Sequence, residues 1–146
     1  MNSGTTYKLR VSAYDNATPV NESALCAAVA GTTTGVADTQ APTVPATLRV
    51  TAVTASALTW AWNASTDNGG GLVAGYVIVL YTSADAQIGT FDVGNTLVYS
   101  ASSLNANTTY KLRVLAYDNA ATRNKSDLSA AVAGVTKKKD PPGKTR

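Results

Sequence analysis

An all-β, two-layer sandwich is the fold class this 146-residue chain predicts, on three observations. Apolar residues make up 45% of the chain and charged residues only 14%, with Thr, Ala, Ser, Val and Asn prominent, which suits pleated strands joined by polar turns. Short apolar runs alternate with clusters of Gly, Asn and Pro along most of the sequence. The strand-like heptapeptide TTYKLRV occurs twice, starting at Thr5 and at Thr108.

The repeated heptapeptide sets the domain organisation. Residues 2–33 align without a gap to residues 105–136, and 22 of those 32 positions are identical. A period of 103 residues is too long for a solenoid unit and suits separate domains of about a hundred residues each. Only the last third of the unit occurs twice. The expected layout is a partial repeat over 1–34, a linker over 35–45, a complete domain over 46–136 and a basic tail over 137–146.

Seven strands are expected in the complete domain. Residues 47–53 alternate apolar and polar, with Pro42 and Pro45 punctuating the approach. In 58–62, Leu58, Trp60 and Trp62 share one face and Thr59 and Ala61 the other. Asp67-Asn68 followed by Gly69, Gly70 and Gly71 is a loop, because three glycines in a row hold neither strand nor helix. A β-branched and aromatic run covers 76–81, a weaker strand 87–91 and a fifth strand 96–101. Residues 108–117 turn Tyr110, Leu112, Val114 and Ala116 inward and Lys111, Arg113, Leu115 and Tyr117 outward, and 128–136 closes the set. The expected core is Trp60, Trp62, Tyr76, Leu104, Tyr110, Leu112 and Val114.

By the same alignment, the partial repeat is a hairpin whose apolar face carries Tyr7, Leu9, Val11 and Ala13. A lone hairpin is marginal in water. Tyr7, Leu9, Val11 and Val29 are therefore candidates for self-association, by exchange of this hairpin into a second copy's sandwich.

These residues resemble a fibronectin type III domain over 41–137. Trp62, five residues before Asp67 in WNASTDNGG, is similar to the family's core tryptophan on its second strand. Gly75-Tyr76 and the Val/Ile run behind it resemble the third strand. Leu104, six residues ahead of Tyr110 in LNANTTYKLRVLAYDNA, resembles the family's tyrosine corner. Trp60 stands where the family usually has an aliphatic residue, and Ala106 where Pro or Gly is common. The resemblance implies a seven-stranded immunoglobulin-like sandwich serving as a non-catalytic, extracellular or cell-surface spacer or adhesion module. The expected partners are neighbouring repeats or, through the hairpin, a second copy of the chain. The alternative is a polysaccharide- or protein-binding module accessory to a secreted enzyme, which an exposed aromatic row across 76–81, Tyr99 and Tyr117 would favour.

The chemistry-bearing residues point away from catalysis. The chain has no His, which removes a Ser-His-Asp arrangement and any His metal ligand. Nine acids are scattered singly, and general acid–base work needs two that converge. Cys26 is alone, so no internal disulfide forms, and its alignment with Ser129 marks it as a small-residue position. Asp67-Asn68 offers oxygen ligands but lacks the alternating acids of a strong calcium loop, and a turn requiring positive φ accounts for the glycines beside it. No catalytic residue, metal or cofactor is expected. Lys8, Arg10, Lys111 and Arg113 lie near Tyr14 and Tyr117 on outward strand faces, where cross-strand pairing accounts for them. Five N-x-S/T sequons, at Asn16, Asn21, Asn63, Asn107 and Asn124, follow from the composition. Residues 1–136 hold seven basic and eight acidic residues, so no nucleic-acid partner is expected. No apolar run approaches the roughly 18 residues of a membrane helix, and any export signal is expected outside this segment.

Overall fold

The computed structural model describes residues 4–34 and 37–140, which form nine strands and no helix. No helix among them is long and apolar enough to cross a membrane. The chain divides between Ala37 and Asp38 into two compact units.

The first unit is a two-stranded antiparallel sheet of β1 (Thr6–Leu9) and β2 (Val29–Thr32), with Tyr7 opposite Gly31 and Leu9 opposite Val29. The second unit is the sandwich. One sheet has the order β3 (Ala46–Val53), β4 (Leu58–Asn63), β7 (Val98–Ala101). The other has the order β6 (Gln87–Gly94), β5 (Val73–Thr82), β8 (Thr109–Asp118), β9 (Val132–Val135). All pairings are antiparallel. The all-β sandwich expected from the sequence is the fold of this unit.

Alternation along β4, β5 and β8 builds the core. Leu58, Trp60 and Trp62 on β4 meet Tyr76, Ile78 and Leu80 on β5 and Tyr110, Leu112, Val114 and Ala116 on β8, all buried. Leu104 is half-buried and packs on this cluster. The Trp62 and Tyr76 rings meet edge to face, 5.6 Å between centroids, a favoured aromatic geometry. Two of the buried tyrosines accept a backbone donor at the hydroxyl: Ser65 N–H reaches Tyr76 Oη at 2.9 Å and Asn105 N–H reaches Tyr110 Oη at 3.1 Å. The Trp60 indole N–H donates to the Val132 carbonyl at 3.3 Å.

The last strand is shorter than 128–136, for a local reason. Ser129 N–H donates to the Val114 carbonyl at 2.8 Å, and its Oγ accepts Val114 N–H at 3.1 Å. Ser126 does the same with Ala116, at 2.9 and 3.0 Å. The two serines satisfy β8's polar groups with their own main and side chains, so no ladder is needed there. In the first unit Ser23 repeats this arrangement on Ala13, and Cys26 repeats it on Val11, with Sγ 3.2 Å from the Val11 nitrogen.

The boundaries also differ from the sequence-based layout. Within the linker expected over 35–45, residues 35 and 36 lie outside the described residues, whereas the segment from Asp38 is anchored. Thr43 N–H donates to the Thr66 carbonyl at 2.8 Å, and Pro42 and Pro45 are buried. Of the basic tail, Lys137 is still tied in by backbone hydrogen bonds to Thr54 and Asn107. Residues 138–140 are exposed, and 141–146 lie outside the described residues.

Candidate functional site

Three loops meet beyond one end of the sandwich: the segment at Asp38, the Asp67 to Gly71 loop, and the turn after β8. The turn is organised by Asp118, which is fully buried. Its Oδ1 accepts Ala120 N–H at 3.1 Å and Asn124 N–H at 2.9 Å, and its Oδ2 accepts the Asn124 side-chain amide at 2.7 Å. Burial opposes the charged form of Asp118, but the Asn124 and backbone donors outweigh it and hold the carboxyl below its usual range. The same Asn124 amide also reaches the Asp38 carbonyl at 3.2 Å, joining two of the loops. Asn119 joins the third: its N–H donates to the Leu72 carbonyl at 3.0 Å, and its Oδ1 accepts Leu72 N–H at 2.9 Å.

The result is a cluster of three carboxylates, Asp38, Asp67 and Asp118, whose nearest oxygens all lie within 4.8 Å of one another. Asp38 Oδ2 and Asp67 Oδ2 are closed off from solvent and accept no hydrogen bond. The glycines are explained by this crowding more than by turn geometry. Of the three, Gly70 alone has a positive φ, +92°. A Cβ on Gly69 would collide with the Asp38 carboxylate, and one on Gly71 would stand 2.7 Å from Asp67 Oδ2, 2.8 Å from Asp38 Oδ2 and 2.9 Å from Asn119 Oδ1. Sequence reasoning singles out Asp67 alone. The one further signal it held is the shared block AYDNA with its later Asn, since Asp15 in the first unit accepts the same three donors, from Ala17 and Asn21. Nothing in the sequence brings Asp38 to Asp118.

On the outward face of β8, Lys111 and Tyr117 have intramolecular partners. Lys111 Nζ pairs with the Asp85 carboxylate at 2.8 Å. Tyr117, expected on the outward face, is buried: it lies over Gly75, where a Cβ would stand 2.6 Å from its Cζ. Its hydroxyl donates to Asp92 at 2.9 Å, and the Arg123 guanidinium covers its ring at 4.7 Å. Burial, then the Asp92 contact, push the Tyr117 hydroxyl up, while Gly94 N–H and the Tyr117 hydroxyl hold the Asp92 carboxyl down. Tyr76 is buried, and Tyr81 and Tyr99 are half-buried. These aromatics do not form an exposed row. In the first unit Leu9 is 68%, Val29 71%, Val11 58% and Tyr7 42% exposed.

The fibronectin type III domain model matches residues 41–131. The chain belongs to the fibronectin type III family. Among curated relatives it is 36% identical to exoglucanase B of Cellulomonas fimi over 139 residues, 94% of this chain and 12% of that protein. It is 37% identical to chitinase A1 of Niallia circulans over 136 residues, 93% of this chain and 18% of that protein. With an alpha-amylase of Niallia circulans it shares 44% identity over 101 residues, 69% of this chain and 7% of that protein. The chain thus spans under a fifth of each relative's length. Among solved structures, rat CD45 extracellular domains d3–d4 share the fold at TM-score 0.56 and 16% identity, covering 93% of this chain and 66% of that one. The chicken CNTN1 FN1-FN3 domains do so at TM-score 0.55 and 20% identity, covering 94% of this chain and 45% of that one.

Proposed function

We propose that this fibronectin type III chain is a non-catalytic accessory module of a secreted polysaccharide-degrading enzyme, spacing the catalytic part from its neighbours outside the cell. One observation carries this reading. The same short segment is shared by relatives named exoglucanase, chitinase and alpha-amylase, while covering at most 18% of any of them. A part common to enzymes of three different substrates is not the part that selects or cleaves the substrate. The buried positions of Tyr76 and Tyr117 support a spacer over a sugar platform, because a stacking surface needs exposed ring faces. The test is to incubate the chain with insoluble cellulose, chitin and starch, then assay the supernatant for protein and for released reducing sugar. The spacer reading expects the protein to stay in solution and no sugar to appear. Retention on one polymer would replace it with the binding-module reading, and sugar release would overturn the non-catalytic assignment.

A specific observation favours a second role for the first unit. The β1–β2 sheet has two strands and leaves Leu9 and Val29 largely exposed, so it is suited to pair with another chain. That role is self-association through residues 4–34.

A further inference from the structure

We propose that the loop end of the sandwich binds one hard divalent cation, calcium by its donor set, between Asp38, Asp67 and Asp118. Two independent observations meet there. The first is the cluster itself: three carboxylates from three chain segments, with their nearest oxygens within 4.8 Å of one another. Oxygens on opposite sides of one calcium ion stand about 4.8 Å apart, twice a bond of about 2.4 Å. The second is the state of the oxygens. Asp38 Oδ2 and Asp67 Oδ2 are each shut away from water and accept nothing, although buried carboxylate oxygens are normally hydrogen-bonded or paired with a cation. Their partner oxygens are used, Asp38 Oδ1 by Gln40 N–H at 3.0 Å and Asp67 Oδ1 by Gly69 N–H at 3.3 Å. The idle pair borders one space, since a Cβ on Gly71 would stand 2.7 Å from Asp67 Oδ2 and 2.8 Å from Asp38 Oδ2, and Gly71 keeps that space open.

Among the described residues no side-chain cation pairs with these carboxylates. The single ion pair among the described residues is Lys111 with Asp85, elsewhere on the sandwich. Asp118 and Asn119 each retain an unused lone pair after the bonds they already accept. The donor set is oxygen only, in a chain without His and with its one Cys in the other unit. That set suits a hard cation over zinc or copper. Several enclosed protein oxygens favour calcium over magnesium, which keeps much of its water shell.

The first unit provides an internal control. Asp15 is held by the same three hydrogen bonds as Asp118, but it belongs to no group of three acidic side chains among the described residues. The two units thus share the turn, and Asp38 and Asp67 are what the sandwich adds to it.

The experiment uses the full chain, stripped with a chelator and then titrated with calcium chloride, read by calorimetry and by thermal unfolding. The expected result is one calcium per chain and an unfolding midpoint raised by about 10 °C at a hundredfold excess over Kd. Asp67→Asn and Asp38→Asn should abolish the rise, while their metal-free forms unfold no earlier than the stripped parent because a like charge has been removed. Gly71→Ala should also lose binding, and Asp15→Asn should respond as the parent does. The proposal is overturned if the parent gives neither heat nor shift at millimolar calcium, if Asp67→Asn keeps the full shift, or if magnesium matches calcium at equal concentration.

Discussion

Trp62 is buried edge-on against Tyr76, yet its own indole N–H has no hydrogen-bond partner. Its contribution therefore rests on apolar contact, opposed by one unsatisfied donor. Trp62→Ala should cost about 3–5 kcal/mol, read by urea denaturation. Trp62→Phe should cost clearly less, because it keeps a ring and removes the idle N–H. A Trp62→Ala variant within about 1 kcal/mol of the parent would show that the ring is not a core element. Asp92 and Tyr117 make the second residue-scale prediction. The folded carboxyl titrates below its unfolded value of about 3.9. The stability linked to it is therefore complete above about pH 4 and is lost as pH falls through the lowered value. Tyr117→Phe removes one of the two donors, so the Asp92 titration followed by NMR should move up towards the ordinary range. An unmoved titration would mean that the hydroxyl does not bond Asp92 in solution.

Among the elements, β4 and β8 were the most legible from sequence, because alternation at Leu58, Trp60 and Trp62 and from Tyr110 to Ala116 has only one half-buried reading. The closing strand was less so. In the segment from Leu128 to Thr136, nothing local says whether β8's N–H groups meet a backbone ladder or serine hydroxyls, and the serines prevail. Ser129→Ala should leave the buried Val114 N–H without its acceptor and cost about 1–3 kcal/mol, measured by chemical denaturation. Ser129→Cys should fall between, since Cys26 fills that place in the first unit with sulfur, a weaker acceptor. A neutral Ser129→Ala would show that backbone pairing alone holds this edge. The acidic cluster was legible only at Asp67, for the same kind of reason. Asp38 and Asp118 are 80 residues apart in sequence, and their meeting is decided by sheet order and by one Asn124 side chain bonded to both.

At the scale of the whole molecule, the hairpin of the first unit reproduces the β8–β9 register residue for residue. Tyr7 faces Gly31 as Tyr110 faces Gly134, and Leu9 faces Val29 as Leu112 faces Val132. Self-association by exchange predicts that the full chain forms dimers or larger species in size-exclusion with light scattering, and that a chain starting at Asp38 is monomeric. Monomers from both at high concentration would end that reading. The same register also bears on how quickly the molecule reaches its native state. A nascent half-sandwich of β3 to β7 meets two nearly interchangeable hairpins, and it can dock the wrong one first. Closing the longer loop costs little extra entropy, and neighbouring repeats of high identity are prone to such misassembly. Residues 1–37 would then act as a decoy that the chain must release before β8 and β9 can dock. Stopped-flow refolding followed by tryptophan fluorescence should show a slow phase, independent of protein concentration, that disappears when the chain starts at Asp38.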